Sequence, residues 1–338
     1  MGLTIKDVAK KAGVSIATVS RVINNKGLVI PETERKVLSA IDELHYAPNA
    51  IAQSLKNRKS KLIGMLASDL SVSFFVGILQ ILERELMKSG YQIILANTYD
   101  SPETEAQLIG RMTQGHTDIL LVNPTGGNDE LLAKVQASGV HLLGYDRYPG
   151  NRQFPSVYVD KRQGIYMILS HLYSLGHRRM CFLSGPERLS TNQDRCAGIR
   201  QFLADYDLAE DSVVICQSEF TEFFAQQVAE EQQGRPNPPT AYITGSVSLA
   251  TGIVKYCERR GVSIPEDLSI ASFGTFRDYS IIKPSLLHID DEYVSVARQL
   301  LRWIRALERT EGPACEQFAD VVLPPRLIHG DSCAPPRQ

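Results

Sequence analysis

The N-terminal segment Thr4–Asn24 constrains this chain most, because it carries the pattern of a helix-turn-helix. One helical face repeats apolar residues at i, i+3, i+4 and i+7, which are Ile5, Val8, Ala9 and Ala12. Gly13 predicts the end of that helix, since glycine adopts the left-handed backbone of a tight turn. Ser15 predicts the cap of a second helix, whose buried side would be Val19, Val22 and Ile23. Ala9, Gly13 and Val19 together supply the small residue, the turn and the core contact that this motif needs.

The charge of the chain is divided unequally along its length. Residues 1–61 hold 11 Lys or Arg against 5 Asp or Glu, a formal charge of +6. The whole chain is −2, so residues 62–338 sum to −8 by subtraction. A small basic head on an acidic body favours nucleic-acid binding by the head and a different role for the body.

The polar side of the second predicted helix differs from an ordinary solvated face. It carries four short hydrogen-bonding side chains and one Arg, namely Ser15, Thr18, Ser20, Arg21 and Asn24. A face that is merely solvated more often carries Glu and Lys. The alternative to a nucleic-acid-binding head is an ordinary three-helix bundle. Short hydroxyls suit phosphate oxygens, and Arg suits the O6/N7 pair of guanine.

These residues closely resemble the signature of the lactose/galactose repressor (LacI/GalR) family of bacterial transcription regulators, and the resemblance continues to the C-terminus. It implies that the second helix enters the major groove, with Ile16, Ala17 and Arg21 at the base-reading positions. Ile16 and Ala17 could touch thymine methyl groups only. The DNA-binding residues expected from the pattern and the resemblance are Thr4, Ser15, Ile16, Ala17, Thr18, Ser20, Arg21, Asn24, Tyr46, Asn49 and Leu55.

Residues Tyr46–Leu55 resemble the hinge helix of the same family. The resemblance implies that two such helices, one per subunit, lie in the minor groove, where Leu55 wedges between bases and kinks the DNA. The alternative is a linker leucine that packs on the body. A helix this short is unstable alone, so we expect it to form only with DNA and a partner subunit.

From Leu62 onward, short apolar runs alternate with longer amphipathic ones and the rhythm restarts near Lys161. This predicts an α/β body of two parallel-sheet lobes, and it resembles the periplasmic-binding-protein fold. The predicted organisation is an all-α helix-turn-helix head at 1–46, a hinge at 47–60 and the body at 61–338. Lobe 1 would take about 61–159 and 291–323, and lobe 2 about 160–290 and 324–333.

Several classes of function have no support in the sequence. It contains no GxGxxG, GxxxxGK[ST] or GxSxG motif, no HExxH, no CxxC and no His/Cys cluster with zinc spacing. We therefore expect neither an enzyme nor a cofactor or metal. Gly126-Gly127 could cradle an anion, although such a pair is usually only a turn. No apolar run reaches membrane-span length and no signal peptide precedes Thr4, so we expect a cytoplasmic protein.

The resemblance also implies an effector site in the cleft between the lobes. The matching positions are Phe74, Phe75, Asp146, Arg147, Asp160, Thr191, Arg195, Phe220 and Gly274. Aromatic faces would pack on the apolar side of a sugar or base, while Asp and Arg bind its polar edge. The alternative for Asp146 and Asp160 is a loop-turn role.

Two departures from the family pattern affect this site. Gly274 stands where the family usually has a pocket Asp, and Val247 stands where it usually has a second one. Losing two carboxylates favours a less hydroxylated, larger or anionic ligand, such as a phosphorylated or carboxylated sugar facing Arg147 and Arg195. A protein partner in place of a small molecule, or no ligand at all, is the alternative.

Together these features predict a sequence-specific repressor controlled by a small-molecule effector. We expect a homodimer, since only Ala-Pro-Pro-Arg-Gln follows Cys333 and no leucine heptad is present to build a tetramer. The two-fold symmetry of a dimer implies a pseudo-palindromic operator in double-stranded DNA. The rival interpretations are a small-molecule-binding protein with a vestigial head, and an enzyme on the same fold.

Overall fold

A computed structural model describes residues 3–23, 29–46, 60–114, 117–274, 284–309 and 318–337. The chain divides into two compact units, Met1–Lys61 and Leu62–Gln338. Asn24, Asn49 and Leu55, with most of the predicted hinge helix, lie outside the described residues. No helix in the described ranges is long and apolar enough to cross a membrane.

The described residues of the N-terminal unit, called the head below, form three helices: α1 (Ile5–Ala12), α2 (Ile16–Ile23) and α3 (Pro31–Glu43). Their shared core consists of Val8, Ala9, Val19, Val37 and Ala40, with Val22 and Ile23 packed against it. This confirms the helix-turn-helix prediction and the buried side assigned to α2.

The end of α1 and the start of α2 follow the signals predicted at Gly13 and Ser15. Gly13 has a φ of 68°, in the left-handed region, and ends α1. The Ser15 hydroxyl accepts a hydrogen bond from the Thr18 N–H at 3.1 Å at the start of α2. At the start of α1, Thr4 and Asp7 form a capping box. The Thr4 N–H donates to the Asp7 carboxylate at 2.8 Å, and the Thr4 hydroxyl donates to the same carboxylate at 2.7 Å.

The second unit, called the body below, contains two six-stranded sheets. The first has the order β11-β5-β4-β3-β1-β2 and all its pairings are parallel. Its strands are β1 (Leu62–Ala67), β2 (Gln92–Asn97), β3 (Ile119–Val122), β4 (His141–Tyr145), β5 (Ser156–Val159) and β11 (Val321–Leu323). The helices α4 (Ser73–Leu86) and α11 (Tyr293–Arg309) cover one face, and α5 (Pro102–Gln114) and α6 (Asp129–Ala137) cover the other.

The second sheet has the order β12-β10-β9-β8-β6-β7. Its strands are β6 (Met180–Ser184), β7 (Val213–Gln217), β8 (Ala241–Thr244), β9 (Ser269–Phe273), β10 (Leu287–Ile289) and β12 (Leu327–Ile328). The helices α7 (Lys161–Ser174) and α8 (Ser190–Asp205) cover one face, and α9 (Glu222–Gln233) and α10 (Val247–Arg260) cover the other. Strand β12 runs antiparallel to β10, which differs from the fully parallel sheet that was predicted.

The chain crosses between the two lobes three times, and the crossings hydrogen-bond to one another. The Asp160 N–H donates to the Leu323 carbonyl, and the Asp290 N–H donates to the Arg326 carbonyl, both at 2.9 Å. Arg326 also donates to the Glu292 carboxylate at 3.1 Å. The three crossing segments therefore lie side by side, and they form the interlobe hinge.

Candidate functional site

The exposed side of α2 carries the predicted base-reading residues of the head. Ile16 has an exposed fraction of 45%, and Ala17 and Arg21 are exposed beside it. Thr18 and Ser20 are half-buried, and the Ser15 and Thr18 hydroxyls lie 2.9 Å apart. An exposed apolar residue next to an exposed Arg and short hydroxyls suits a base-edge and phosphate surface.

Two further predicted DNA-binding residues, Thr4 and Tyr46, make contacts within the head itself. Thr4 is exposed and its hydroxyl is bound to Asp7. Tyr46 is half-buried, and its side chain packs against the core of the head.

A cavity of about 790 Å³ lies between the two lobes of the body, at the carboxyl ends of the parallel strands. Loops that leave several strands of both sheets meet there, which is where open α/β sheets bind ligands. The predicted residues that line it are Phe74, Phe75, Asp146, Arg147, Thr191, Arg195, Phe220 and Gly274.

Asp160 does not line the cavity, in contrast to the prediction. Its carboxylate accepts a hydrogen bond from the Gln163 N–H at 2.9 Å and caps the start of α7. The next residue, Lys161, lines the cavity instead, with a side chain only 3% exposed. The carboxylate is thus used locally as a helix cap, a role that is neither the predicted effector contact nor the loop-turn alternative.

Two aromatic rings, Phe74 and Phe75, line one wall of the cleft, and the buried Tyr145 ring lies behind them. Phe74 and Phe75, in the first turn of α4, meet edge to face at a centroid distance of 5.2 Å. Both contact Tyr145, whose hydroxyl donates to the Leu66 carbonyl at 2.7 Å. On the other lobe the Phe220 ring lies directly against Gly185, where a Cβ atom would overlap it.

Two ion pairs lie at the buried end of the cleft. Lys161 Nζ lies 3.0 Å from Asp146 Oδ1, and Arg147 binds both oxygens of Asp100, one of them at 3.3 Å. Burial alone would raise the pKa of Asp146, but the charges of Lys161 and Arg147 outweigh it and lower that pKa. Burial opposes the charge of Arg147 as well, yet Asp100 raises its pKa. Asp146 and Arg147 therefore keep their charges at neutral pH.

Gly274 and Val247, the two departures from the family pattern, are neighbours in space. Gly274 has a φ of 109°, and a Cβ atom built on it would lie 2.9 Å from Val247 Cγ2. A side chain at 274 would therefore meet both backbone strain and a steric clash. The two positions together form an apolar section of the wall.

Arg188 links the two lobes across the cleft. Its Nε donates to the Thr125 carbonyl at 3.0 Å, and its Nη2 donates to the Asp100 carbonyl at 2.6 Å. Gly126 has a φ of 79°, and a Cβ atom there would lie 2.5 Å from the Arg188 carbonyl oxygen. Protein backbone therefore occupies the space that the sequence suggested for an anion at Gly126-Gly127.

A second link lies beside the first. The Tyr148 N–H donates to Ser190 Oγ at 3.2 Å, and the Tyr148 hydroxyl donates to Asp194 Oδ1 at 2.7 Å. Together, the hydrogen bonds of Tyr148 and Arg188 connect the start of α8 and the loop before it to the loops that follow β2, β3 and β4.

Sequence reasoning missed several of these residues: Asp100, Tyr148, Lys161, Arg188, Ser190 and Asp194. Lys161 had a usable signal, because an Asp immediately before a helical pattern is a cap candidate and leaves the next residue to face the strand ends. The others lie far apart along the chain and pair only through the fold. Among the described residues no group of three or more His, Cys, Asp or Glu could hold a metal ion.

Comparison with known proteins assigns both units. Residues 4–49 match the profile of bacterial regulatory proteins of the lacI family, and residues 60–304 match the profile of periplasmic binding proteins and the sugar binding domain of the LacI family. The chain belongs to the LacI family. Two curated relatives are the HTH-type transcriptional repressor PurR of Klebsiella pneumoniae strain 342, at 29% identity, and that of Escherichia coli strain SMS-3-5, at 30%. In both cases 98% of this chain and 97% of the relative are covered.

Solved structures of LacI-family regulators share the fold. The lac repressor dimer bound to operator and the anti-inducer ONPF superposes with a TM-score of 0.82 at 22% identity, covering 99% of this chain and all of that one. The transcriptional regulator CelR–cellobiose complex gives a TM-score of 0.70 at 24% identity, covering 98% and 99%. This LacI-family protein is a DNA-binding transcriptional regulator controlled by a small-molecule effector.

Proposed function

We propose that this protein is a cytoplasmic homodimeric repressor that binds a pseudo-palindromic operator and responds to an effector in the cleft between its lobes. The curated relatives are named as repressors, and the lac repressor is a dimer on its operator. Two-fold symmetry of a dimer would present two α2 helices to two symmetric half-sites.

The observation that carries the proposal is the exposed surface of α2. Ile16 and Arg21 stand exposed on a helix whose opposite side packs into the core of the head through Val19. The head as a whole is formally +6. A surface of this kind reads base edges with α2 and binds phosphates with the surrounding cations.

The direct test is selection of binding sites from random double-stranded DNA, followed by titration of the selected duplex. We expect a symmetric consensus, and a slope of log affinity against log salt of roughly −5 to −9 for about 6–10 phosphate contacts in a dimer. A selected pool without symmetry, or a slope near zero, contradicts the proposed mode of binding.

The role of Arg21 is tested on the same duplex. Arg21→Ala should lose about 1–3 kcal/mol of binding free energy and relax the preference at one symmetric base position. Arg35→Ala is the matched control, since Arg35 is an exposed arginine on α3 that donates to the Pro31 carbonyl of its own helix. A uniform loss over all bases at the affected position would make Arg21 a phosphate contact.

A further inference from the structure

A buried carboxylate in lobe 1 holds the loop between β3 and α6. Glu105, on α5, is fully buried, and its Oε1 accepts a hydrogen bond from the Thr125 N–H at 3.1 Å. Its Oε2 accepts from the Thr125 hydroxyl and from Asn128 Nδ2, both at 2.7 Å. Both carboxylate oxygens are therefore engaged, and these three donors belong to one loop, residues 124–128.

The two residues that bind Glu105 flank a pair of glycines. Thr125 precedes Gly126-Gly127 and Asn128 follows it. Glycine has more conformational freedom than any other residue, so a loop with two of them loses much entropy when it is held in one conformation. A single carboxylate that binds both sides of the pair supplies the restraint that the glycines lack.

The same loop forms the lobe 1 half of the link to Arg188. Thr125 binds Glu105 through its N–H and its hydroxyl, and its carbonyl accepts from Arg188 Nε at 3.0 Å. The Arg188 carbonyl oxygen lies against Gly126, 2.5 Å from the position of a Cβ atom there. The link therefore requires the loop to keep one conformation, and the three hydrogen bonds to Glu105 favour that conformation.

The burial of the Glu105 charge has a cost that bears on its role. Burial raises the pKa of Glu105, against the hydrogen bonds from Thr125 and Asn128 and the charge of Arg147. A buried charge is a poor source of stability compared with an apolar side chain of similar volume. A carboxylate can, however, hold several donors in one geometry through charge-assisted hydrogen bonds. The network therefore suits the positioning of the loop better than the stabilisation of lobe 1.

We infer that Glu105 is a positioning residue for the closed cleft: its carboxylate fixes the loop 124–128 so that the Thr125 carbonyl and Gly126 meet Arg188 of the other lobe. The network lies wholly within the body, so it does not depend on DNA binding by the head. A change at Glu105 should shift the body toward an open cleft, and the effect should be measurable in lobe 2 although Glu105 itself lies in lobe 1.

The experiment measures amide hydrogen exchange and small-angle scattering of the full chain with no added ligand. Glu105→Gln is nearly isosteric, but it replaces one acceptor oxygen by an NH₂ group, so at least one donor of the loop loses its acceptor. Thr125→Val removes the hydroxyl that binds Glu105, and Thr125→Ser is its matched control because it keeps a hydroxyl. Glu130→Gln, at an exposed glutamate in the first turn of α6, controls for the loss of a charge.

In Glu105→Gln we expect residues 186–193, at the start of α8 in lobe 2, to exchange about threefold to tenfold faster than in the wild type, and the radius of gyration to rise. Thr125→Val should show a smaller increase in the same residues. Thr125→Ser and Glu130→Gln should match the wild type. In an Arg188→Ala background, where the link is already lost, Glu105→Gln should add nothing at residues 186–193.

A merely structural role for Glu105 would give a different pattern of exchange. Faster exchange confined to residues 102–128, with residues 186–193 unchanged, would make Glu105 a stabilising residue of lobe 1 and overturn the inference. It is also overturned if Glu105→Gln accelerates exchange at residues 186–193 equally with and without Arg188, or if Thr125→Val does not differ from Thr125→Ser there. If Glu105→Gln does not fold, the Thr125 pair decides by the same criterion.

Discussion

At the scale of single residues, the buried ion pair between Lys161 and Asp146 contributes to the free energy of unfolding. Asp146→Asn removes the charge that neutralises a lysine only 3% exposed, so we expect a loss of roughly 3 kcal/mol in the free energy of unfolding at neutral pH. The lowered pKa of Asp146 means that this stabilisation is fully present above the ordinary Asp pKa of about 3.9 and is lost as the pH falls through the folded-state value. Urea unfolding of the wild type and of Asp146→Asn from pH 7 to pH 3 measures the difference in their free energies of unfolding.

Glu230→Gln is the control for this change. It removes the partner of Arg260 in an ion pair whose side chains are both more than half exposed. Such pairs contribute little, so we expect a loss below about 1 kcal/mol. Equal losses for the two variants would mean that Asp146 does not compensate a buried charge.

At the scale of structural elements, His177 anchors the C-terminal segment to the second sheet. Its Nδ1 lies 2.8 Å from the Thr240 hydroxyl, and its Nε2 lies 3.1 Å from the Ser269 hydroxyl and 3.0 Å from the Ala334 carbonyl. Burial lowers the pKa of His177, and the charge of Arg178 lowers it further against the Ala334 hydrogen bond. The neutral ring therefore stabilises the fold above the ordinary His pKa of about 6.5, and this stabilisation is lost as the pH falls through the folded-state value.

We expect His177→Gln to cost about 1–2 kcal/mol at pH 8, and the difference from the wild type to shrink at pH 5. Urea unfolding gives the free energies, and hydrogen exchange of residues 332–337 shows whether the segment opens. His45→Gln, at an exposed histidine of the head, should show neither effect. A difference that grows toward acid pH would contradict the anchoring role.

At the scale of the whole molecule, the link through Arg188 favours the closed cleft. Arg188→Ala removes two hydrogen bonds between the lobes, and Gly126→Ala would place a Cβ atom 2.5 Å from the Arg188 carbonyl oxygen. Both variants should shift the unliganded body toward an open cleft, because each weakens the same contact from opposite sides. Small-angle scattering should then give a larger radius of gyration.

Glu187→Ala is the control for the link, since Glu187 is the exposed residue immediately before Arg188. It should leave the scattering curve unchanged. An unaltered radius of gyration in both Arg188→Ala and Gly126→Ala would show that the interlobe hinge alone sets the opening of the cleft.

The sequence by itself determined most of the helices and strands of this protein and the architecture that they build. The amphipathic patterns over Pro102–Gln114, Glu222–Gln233 and Val247–Arg260 predict helices with these bounds, and the structure has helices with the same bounds. Hydrophobic periodicity carries this information because it is local and repeats within each element. Strands β5 and β12 have no such signal in the sequence. Four buried residues give no periodicity, and a two-residue edge strand has almost no pattern.

Only the tertiary structure decided which charges are engaged and which are available. Asp160 and Lys161 are neighbours in sequence, yet one caps a helix and the other forms a buried ion pair with Asp146. Arg147 and Arg195 look equivalent in the sequence, but Asp100 neutralises the first and nothing within the described residues neutralises the second. Ion pairs depend on distances between side chains that the sequence separates by tens of residues, so their pattern exists only once the sheets bring the strand ends together.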